Sequence, residues 1–445
     1  MKKILVISYF FAPASKISAI RWTKMSKYLT ASGKYDVDVI AGDYDCAQDK
    51  LLAADAEKIG NVIRIKHADP KYGFVGVGAS SAKTIDAGDD MTLKKRIKKI
   101  IKKNPLVMKV IKNKVTAADY NRSLDFFEQT KKYIKENGGL SKYDAVISSY
   151  GPTADALIAV WIKENYPEIP LIIDFRDPMV NKAVPKKLDR LYRSIQDDIC
   201  RKADRVVLVA RDSDFHFDKS LLKDKLSVIT NGYDGEDFAD VEKTRPEKFT
   251  VCFSGSFFPD RMDLTPLFEI IRELTESGEM DISDVEFDYA GSQFIDVYEQ
   301  AKLCSVEGIM KNLGFIDRKE ALKLQKSSDI LAVTVQNSEK NREKGVLTGK
   351  LFEYIASGSP IAAFVRGETP DSEIREIIER GRFGAAYEEA NRETDHEKMK
   401  KFILDAYTAY KNGESNHSPD KEYAESFDYK NLAADYDRLI ESIVK

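Results

Sequence analysis

The stretch LTGKLFEYIASGSPIAAF, residues 347–364, mixes charge with apolar character in a way that could do chemistry. Thr348 stands where a helix N-cap would, with Gly349 and Lys350 in the first turn and Glu353 one turn on. Gly358 suits the position just past a helix, and Pro360 prevents continuation. The helix would follow a strand at 329–335, and in open α/β sheets ligands bind beyond the carboxyl ends of the strands. A helix starting there offers N–H groups and the positive end of a dipole. Gly349 permits close backbone approach, Lys350 adds a mobile charge suited to phosphate, and Glu353 can accept hydrogen bonds from ribose hydroxyls. The competing reading is a Lys350–Glu353 surface ion pair at i,i+3, worth ~0.2–0.5 kcal/mol. Against it, Glu353 lies among Leu351, Phe352, Tyr354 and Ile355, which leaves the helix little solvated face.

The elements that must position these residues alternate along the chain. Strand-like runs fall at 3–10, 36–42, 61–67, 144–150, 170–175, 205–210 and 226–231, then at 249–255, 285–291, 309–315, 329–335, 360–365 and 383–387. Most are continuous and β-branched, as strands buried on both faces should be. Helical patterns fit 17–32, 120–137, 153–165, 186–203, 264–277, 293–303, 318–327, 349–357, 371–380 and 424–444. The expected fold class is α/β: two Rossmann-like, doubly wound domains facing a cleft. The domains expected are 1–240, with a basic helical insertion about 91–118, and 247–415. A last helix at 423–445 packs back toward the first domain. The polar, turn-rich segment 231–249 is the linker.

Composition sets bounds. The 445 residues suit two or three domains and are 43% hydrophobic, enough for full cores. A net charge of −3 gives no global bias toward nucleic acid. Cys46, Cys200, Cys252 and Cys304 are dispersed with no CxxC, which argues against zinc or a disulfide framework and fits a reducing cytosol. The opening MKKILVISYFFAPAS has some character of a signal peptide, but its apolar run is short and reads better as a buried first strand. Acidic pairs such as DYD (43–45) and DSD (212–214) lack further ligands, so no metal is expected. There is no GxGxxG after the first strand, against a dehydrogenase.

The stretch 347–364 resembles the donor-site helix of GT-B glycosyltransferases, in particular the retaining, family-4-like enzymes. VITNGYDGEDF (228–238) resembles that family's interdomain junction. VCFSGSFFPDRMDLTPLFEIIREL (251–274) resembles the first strand-loop-helix of its nucleotide-binding domain, and LGFIDRKEALKLQKSSDILAV (313–333) its third and fourth units. YFFAPASKISAIRWTKMSKYL (9–29) and LIIDFRDPM (171–179) resemble an acceptor domain. The resemblance runs in order along nearly the whole chain. It implies transfer of a sugar, with retention, from a nucleotide-diphosphate sugar, a UDP-sugar being the donor expected. Glu353 would hold the ribose; the Thr348–Gly349–Lys350 helix start, Arg261 and the Gly255–Ser256 loop would hold the diphosphate. Arg261 has the alternative of an exposed loop arginine. No cofactor is required if cations neutralise the leaving diphosphate.

Three departures from the family pattern bear on the chemistry. Gly345 stands where a second glutamate is frequent, with Glu339 and Glu343 nearby but out of register. The DFRDP turn holds Arg176 and Asp177 where many members have a histidine. Asp177 could take a proton or orient an acceptor hydroxyl; its alternatives are a helix N-cap or a pair with Arg176. The first loop has Ser15, Lys16 and Ser18 in place of Gly-Gly, which makes Arg21, with Ser15, the acceptor-side polar candidate.

The segment MTLKKRIKKIIKKNPLVMKVIKNKVTAA (91–118) holds ten basic residues and no acidic one. Leu93, Ile97, Ile100, Ile101, Met108, Ile111 and Val115 recur at helical spacing, and Asn104-Pro105 marks a fresh helix start. With Lys94, Lys95, Lys98, Lys99, Lys102 and Lys103 on the other face, the pattern is that of an interfacial helix on an anionic membrane. The alternative is a solvated insertion with its apolar stripe on the domain. Without interleaved aromatics, nucleic acid is not expected. The function expected is a cytoplasmic glycosyltransferase, peripheral on the inner membrane face, acting on a lipid-linked or polysaccharide precursor. The other readings are a sugar-nucleotide epimerase on the same fold and a catalytically silent homologue that binds nucleotide-sugar and partners.

Overall fold

Runs of Val, Ile, Leu and Ala that cannot face water on either side force parallel strands covered by helices. A computed structural model of the chain describes residues 1–67, 123–181, 184, 186–414 and 417–444. The basic segment 91–118, with Lys94 through Lys103, lies outside these residues.

The chain divides into two units. The first comprises Met1–Val209, His216–Ile229 and Ala433–Lys445, and the second Ala210–Phe215 and Thr230–Leu432. In the first unit the strands are β1 (Lys2–Ile7), β2 (Tyr35–Asp43), β3 (Val62–Lys66), β4 (Ala145–Tyr150), β5 (Leu171–Phe175), β6 (Arg205–Leu208) and β7 (Leu226–Val228). They form one sheet in the order β3-β2-β1-β4-β5-β6-β7, and every pairing is parallel. Val6 lies between Val39 and Ile147, and all three are fully buried. The order reverses between β1 and β4, so the loops after these two strands flank the unit's switch point.

In the second unit the strands are β8 (Phe249–Ser254), β9 (Val285–Ala290), β10 (Met310–Gly314), β11 (Ile330–Gln336), β12 (Ile361–Arg366) and β13 (Gly384–Glu388). Their order is β10-β9-β8-β11-β12-β13, again parallel, with the reversal between β8 and β11. All thirteen expected strands are present. The two doubly wound sheets bear out the expected α/β class.

Helices differ from expectation in several places, among them a short helix at Lys50–Ala56 that the sequence patterns did not mark. The charged run 392–412, assigned to no element from sequence, is a 21-residue helix, Arg392–Asn412. Its buried residues Asp395, Met399, Ile403 and Tyr407 recur every four positions, a narrow stripe in an otherwise polar surface. The single helix expected at 424–444 is two, Lys421–Glu425 and Tyr429–Glu441. Asp428 makes the break: its carboxylate accepts from the Lys430 amide at 2.8 Å and from the Gly235 amide at 3.1 Å, while Phe427 is buried.

The centre of the first unit is a buried charge. The Asp174 carboxylate, on β5, accepts from Arg21 Nε (3.1 Å) and Nη2 (2.9 Å), Trp22 Nε1 (2.6 Å), Ser149 Oγ (3.1 Å) and Tyr436 OH (2.8 Å). Arg21 Nη2 also donates to the Ile229 carbonyl at 2.8 Å. Burial alone would raise the Asp174 pKa, but the Arg21 charge and the bonds from Arg21, Trp22 and Tyr436 hold it below the usual carboxylate value. Arg21 therefore does not serve as an acceptor-side group. Its side chain is 1% exposed and its fork is taken by Asp174, so the residue joins the Ile17–Ala31 helix and the C-terminal helix to the sheet.

Replacing Asp174 by Asn leaves Arg21 buried without its counter-charge. The expected loss is about 3–5 kcal/mol in chemical denaturation, against about 1–2 kcal/mol for Tyr436→Phe, which removes hydrogen bonds only. Since the folded pKa is depressed, the pair's contribution is complete above the ordinary carboxylate value and disappears as pH falls through the folded one. A loss below 1 kcal/mol for Asp174→Asn would refute this account.

Candidate functional site

The switch point of the second unit gathers most of the chemistry. The β8 strand ends at Ser254 and is followed by Gly255 and Ser256; β11 is followed, after a loop, by the Gly349–Ser357 helix. Thr348 occupies the N-cap position, but its side chain makes no capping bond, so it does not satisfy the amides of the first turn. Gly358 closes the helix in the left-handed conformation, with φ of 72°. The helix is core along most of its length, with Leu351, Phe352, Tyr354 and Ile355 buried.

Lys350 crosses from this helix to the loop after β8. Its ammonium donates to the Ser256 carbonyl at 3.1 Å and lies 4.7 Å from the centre of the Phe253 ring. Gly255 makes room for it: φ there is +104°, and a Cβ would collide with Lys350 Cε. Among the described residues no carboxylate forms an ion pair with Lys350. Burial pushes its pKa down to about 8, with the charge of Glu353 pulling the other way. A partly desolvated cation facing a carbonyl and an aromatic ring, with no carboxylate paired to it among the described residues, has the chemistry to receive an anion.

Glu353 is not paired with Lys350, which sets aside the surface ion pair considered from spacing. It meets Arg318, the first residue of the Arg318–Ser327 helix, with Nη1 2.9 Å from Oε1. Its other oxygen is 3.5 Å from Gln325 Nε2. Gln325 also donates to Ser254 Oγ at 3.1 Å, and that hydroxyl is 3.2 Å from Tyr354 OH. A polar chain thus runs from the end of β8 to the carboxylate. Arg318 and Gln325 were not singled out from sequence. The helix at 318–327 was placed by its pattern alone; the structure adds a capping box between Asp317 and Glu320 at its start, and neither signal says where Arg318 would reach.

Arg261 comes to the same sheet edge. Its guanidinium is 3.6 Å from Glu343, which is buried in the loop between β11 and the Gly349–Ser357 helix, and it remains 38% exposed. Gly345 has a physical reason to be glycine. It sits at φ +69°, and a Cβ there would collide with the backbone of Ser213 in the Ala210–Phe215 segment of the same unit. A glutamate cannot stand at 345 in this backbone.

In the first unit Arg176 follows β5 and donates to the carbonyls of Ser18 (3.2 Å) and Gly151 (3.1 Å). Gly151 has φ +125°, and a Cβ there would collide with the guanidinium. Asp177 and Ser15 are exposed in loops after β5 and β1, and no helix starts at Asp177. Behind Arg176 lies the fully buried Asp155. Burial pushes its carboxyl well above the usual value, while the Arg176 charge and the Tyr9 backbone amide pull it down.

The whole chain matches sucrose-phosphate synthase from Thermosynechococcus elongatus with a TM-score of 0.62 at 14% identity, covering 100% of this chain and 99% of that one. The E. coli trehalose-6-phosphate structure bound with UDP-2-fluoro glucose matches with a TM-score of 0.58 at 10% identity, covering all of both chains. The fold is GT-B. A putative UDP-N-acetylglucosamine 2-epimerase from Listeria monocytogenes also matches, with a TM-score of 0.50 at 13% identity over 99% of this chain and 96% of that one. No protein-family model and no curated protein matches the sequence. In this GT-B chain the residues converging on the β8/β11 switch point are Lys350, Gly255, Ser256 and Arg261, with Glu353 one turn away.

The depressed Lys350 pKa has a sign that can be checked. The folded protein disfavours the charged form, so a cost on stability is present below about pH 8 and is relieved as pH rises toward 10.5. Stability of the ligand-free protein should gain a rising component across that window, absent in Lys350→Met. Nitrogen NMR of the labelled side chain should show a midpoint near 8, and a midpoint above 10 would contradict the buried, unpaired ammonium.

Proposed function

We propose that the chain transfers a sugar from a nucleotide-diphosphate sugar to an acceptor hydroxyl, with retention of anomeric configuration. The observation that carries this reading is the half-buried Lys350 ammonium, which no carboxylate pairs with among the described residues, at the start of a helix and at a topological switch point. Lys350, the helix start with Thr348 and Gly349, and the Gly255–Ser256 loop face the diphosphate, joined by Arg261. Glu353 accepts from the ribose. The bound UDP-2-fluoro glucose in the E. coli relative of this fold supports UDP as the nucleotide.

In the reaction the bond from the anomeric carbon to the diphosphate oxygen breaks and a bond to the acceptor oxygen forms. The acceptor proton passes to the leaving diphosphate or to Asp177. Lys350 and Arg261 stabilise the charge that develops on departure, and donors aimed at such charge typically contribute ~10²–10³-fold each. Arg176 and Ser15 lie on the acceptor side. No helix among the described residues is long and apolar enough to cross a membrane. The basic segment 91–118 would bring the first unit to an anionic cytoplasmic membrane face carrying a lipid-linked or polysaccharide precursor.

An epimerase on this fold is the second reading, supported by the match at TM-score 0.50 against 0.62 for the synthase. Supplying nucleotide-sugar with no acceptor separates the two: an epimerase forms product, and a transferase releases nucleoside diphosphate only when acceptor is added.

A nucleotide-sugar panel read by thermal shift should show stabilisation of ~2.7 kcal/mol at 100 times the dissociation constant. Lys350→Ala and Glu353→Ala should each weaken binding or turnover at least tenfold with the fold intact; wild-type turnover in both would sink the assignment. For the membrane part, vesicles containing phosphatidylglycerol should carry the wild type upward in flotation. A variant with Lys94, Lys95, Lys98 and Lys99 changed to Glu should stay behind, and unchanged flotation would reject that role.

A further inference from the structure

We propose that Arg318 is the positioning residue of the nucleotide site, holding Glu353 so that the carboxylate distinguishes a ribose from a deoxyribose. This rests on the assignment of Glu353 to the ribose. A glutamate side chain in a ligand site is ordinarily mobile, and ordering such a side chain costs conformational entropy at the moment of binding. Here the ordering is done in advance. Arg318 spans two carboxylates with its fork, Nη1 to Glu353 Oε1 at 2.9 Å and Nη2 to Asp237 Oδ2 at 3.1 Å. Both its own side chain and that of Glu353 are mostly buried, 17% and 19% exposed.

The anchor at each end is rigid. Asp237, 5% exposed, belongs to the Gly235–Phe238 turn, where its amide donates to the Asp234 carbonyl at 3.0 Å and the Asp234 side chain caps the Glu236 amide at 3.1 Å. Arg318 opens a helix fixed by a reciprocal capping box between Asp317 and Glu320. The Arg318 bond uses one oxygen of Glu353, while among the described residues the other has the 3.5 Å contact with Gln325 alone. That second oxygen keeps acceptor capacity for a ribose hydroxyl. A charge-assisted bond to a carboxylate is about twice as strong as a neutral one and fixes direction as well. The second arm, on Asp237, keeps the guanidinium from following Glu353 into other rotamers. A lysine could supply the charge but not the fork.

The test uses titration calorimetry on the full chain with UDP, GDP, ADP and CDP, and then the 2′-deoxy counterpart of whichever binds best. The wild type should prefer the ribonucleotide by about tenfold or more. Arg318→Gln should lose that preference, weakening the ribonucleotide about tenfold while leaving the deoxy form nearly unchanged, and Arg318→Lys should restore part of it. Asp237→Asn, which leaves Arg318 in place but slackens its second arm, should reduce the ratio less than Arg318→Gln, with circular dichroism confirming that each variant is folded. A wild-type protein that fails to distinguish the two sugars overturns the ribose assignment and this proposal with it. Wild-type discrimination with an unchanged ratio in Arg318→Gln overturns the role of Arg318 alone. Tighter ribonucleotide binding in Arg318→Gln would also overturn it, because the arginine would then be masking Glu353.

Discussion

Asp174 and Arg21 meet where no solvent reaches, and the first unit is assembled around that pair. A carboxylate in the middle of a parallel sheet is tolerable only if it is neutralised and every lone pair is used. Here the partners come from the first helix, from β4 and from the last helix of the chain, so satisfying one charge fixes the placement of three distant segments. The second unit holds a half-buried charge near the end of its sheet and treats it in the opposite way. Lys350 receives one carbonyl and one ring face, and no counter-ion among the described residues. The two cases follow from one rule: a charge taken out of water needs partners, and Asp174 has a complete set where Lys350 does not.

The position of the incomplete charge is not arbitrary. In a doubly wound sheet the two loops that diverge at the reversal of strand order leave a gap between them. In the second unit these are the loops after β8 and β11, and Lys350 bridges them. Glycine at 255 allows the lysine to lie against the backbone. The same reasoning explains Gly345, where contact with the Ser213 backbone excludes any side chain. A missing glutamate that looked like a gap in the chemistry is a consequence of close backbone packing.

Much of this was legible in the residues. Continuous β-branched runs marked most of the strands, because strands buried on both faces leave no room for polar alternation. The Gly349–Ser357 helix was bounded correctly by Thr348 and Gly358, since caps are local chemistry. The Arg392–Asn412 helix was not seen, because its one buried stripe is four residues wide in a sea of charge. The break at Asp428 was missed because the apolar period continues across it and only the cap interrupts the helix.

By itself, the sequence determined which residues could become strands, where the Gly349–Ser357 helix begins and ends, and that a lysine and a glutamate stand at its mouth. These depend on neighbours within a few positions. Tertiary structure alone decided which charge meets which. Arg21 reads as a loop-side cation and is enclosed by Asp174, 153 positions away. Spacing left a Lys350–Glu353 pair as the competing reading, and it is Arg318, 35 positions before Glu353, that meets the carboxylate. The physical reason is that the worth of a charge depends on its desolvation and on partners brought from far along the chain, and neither is encoded in local spacing.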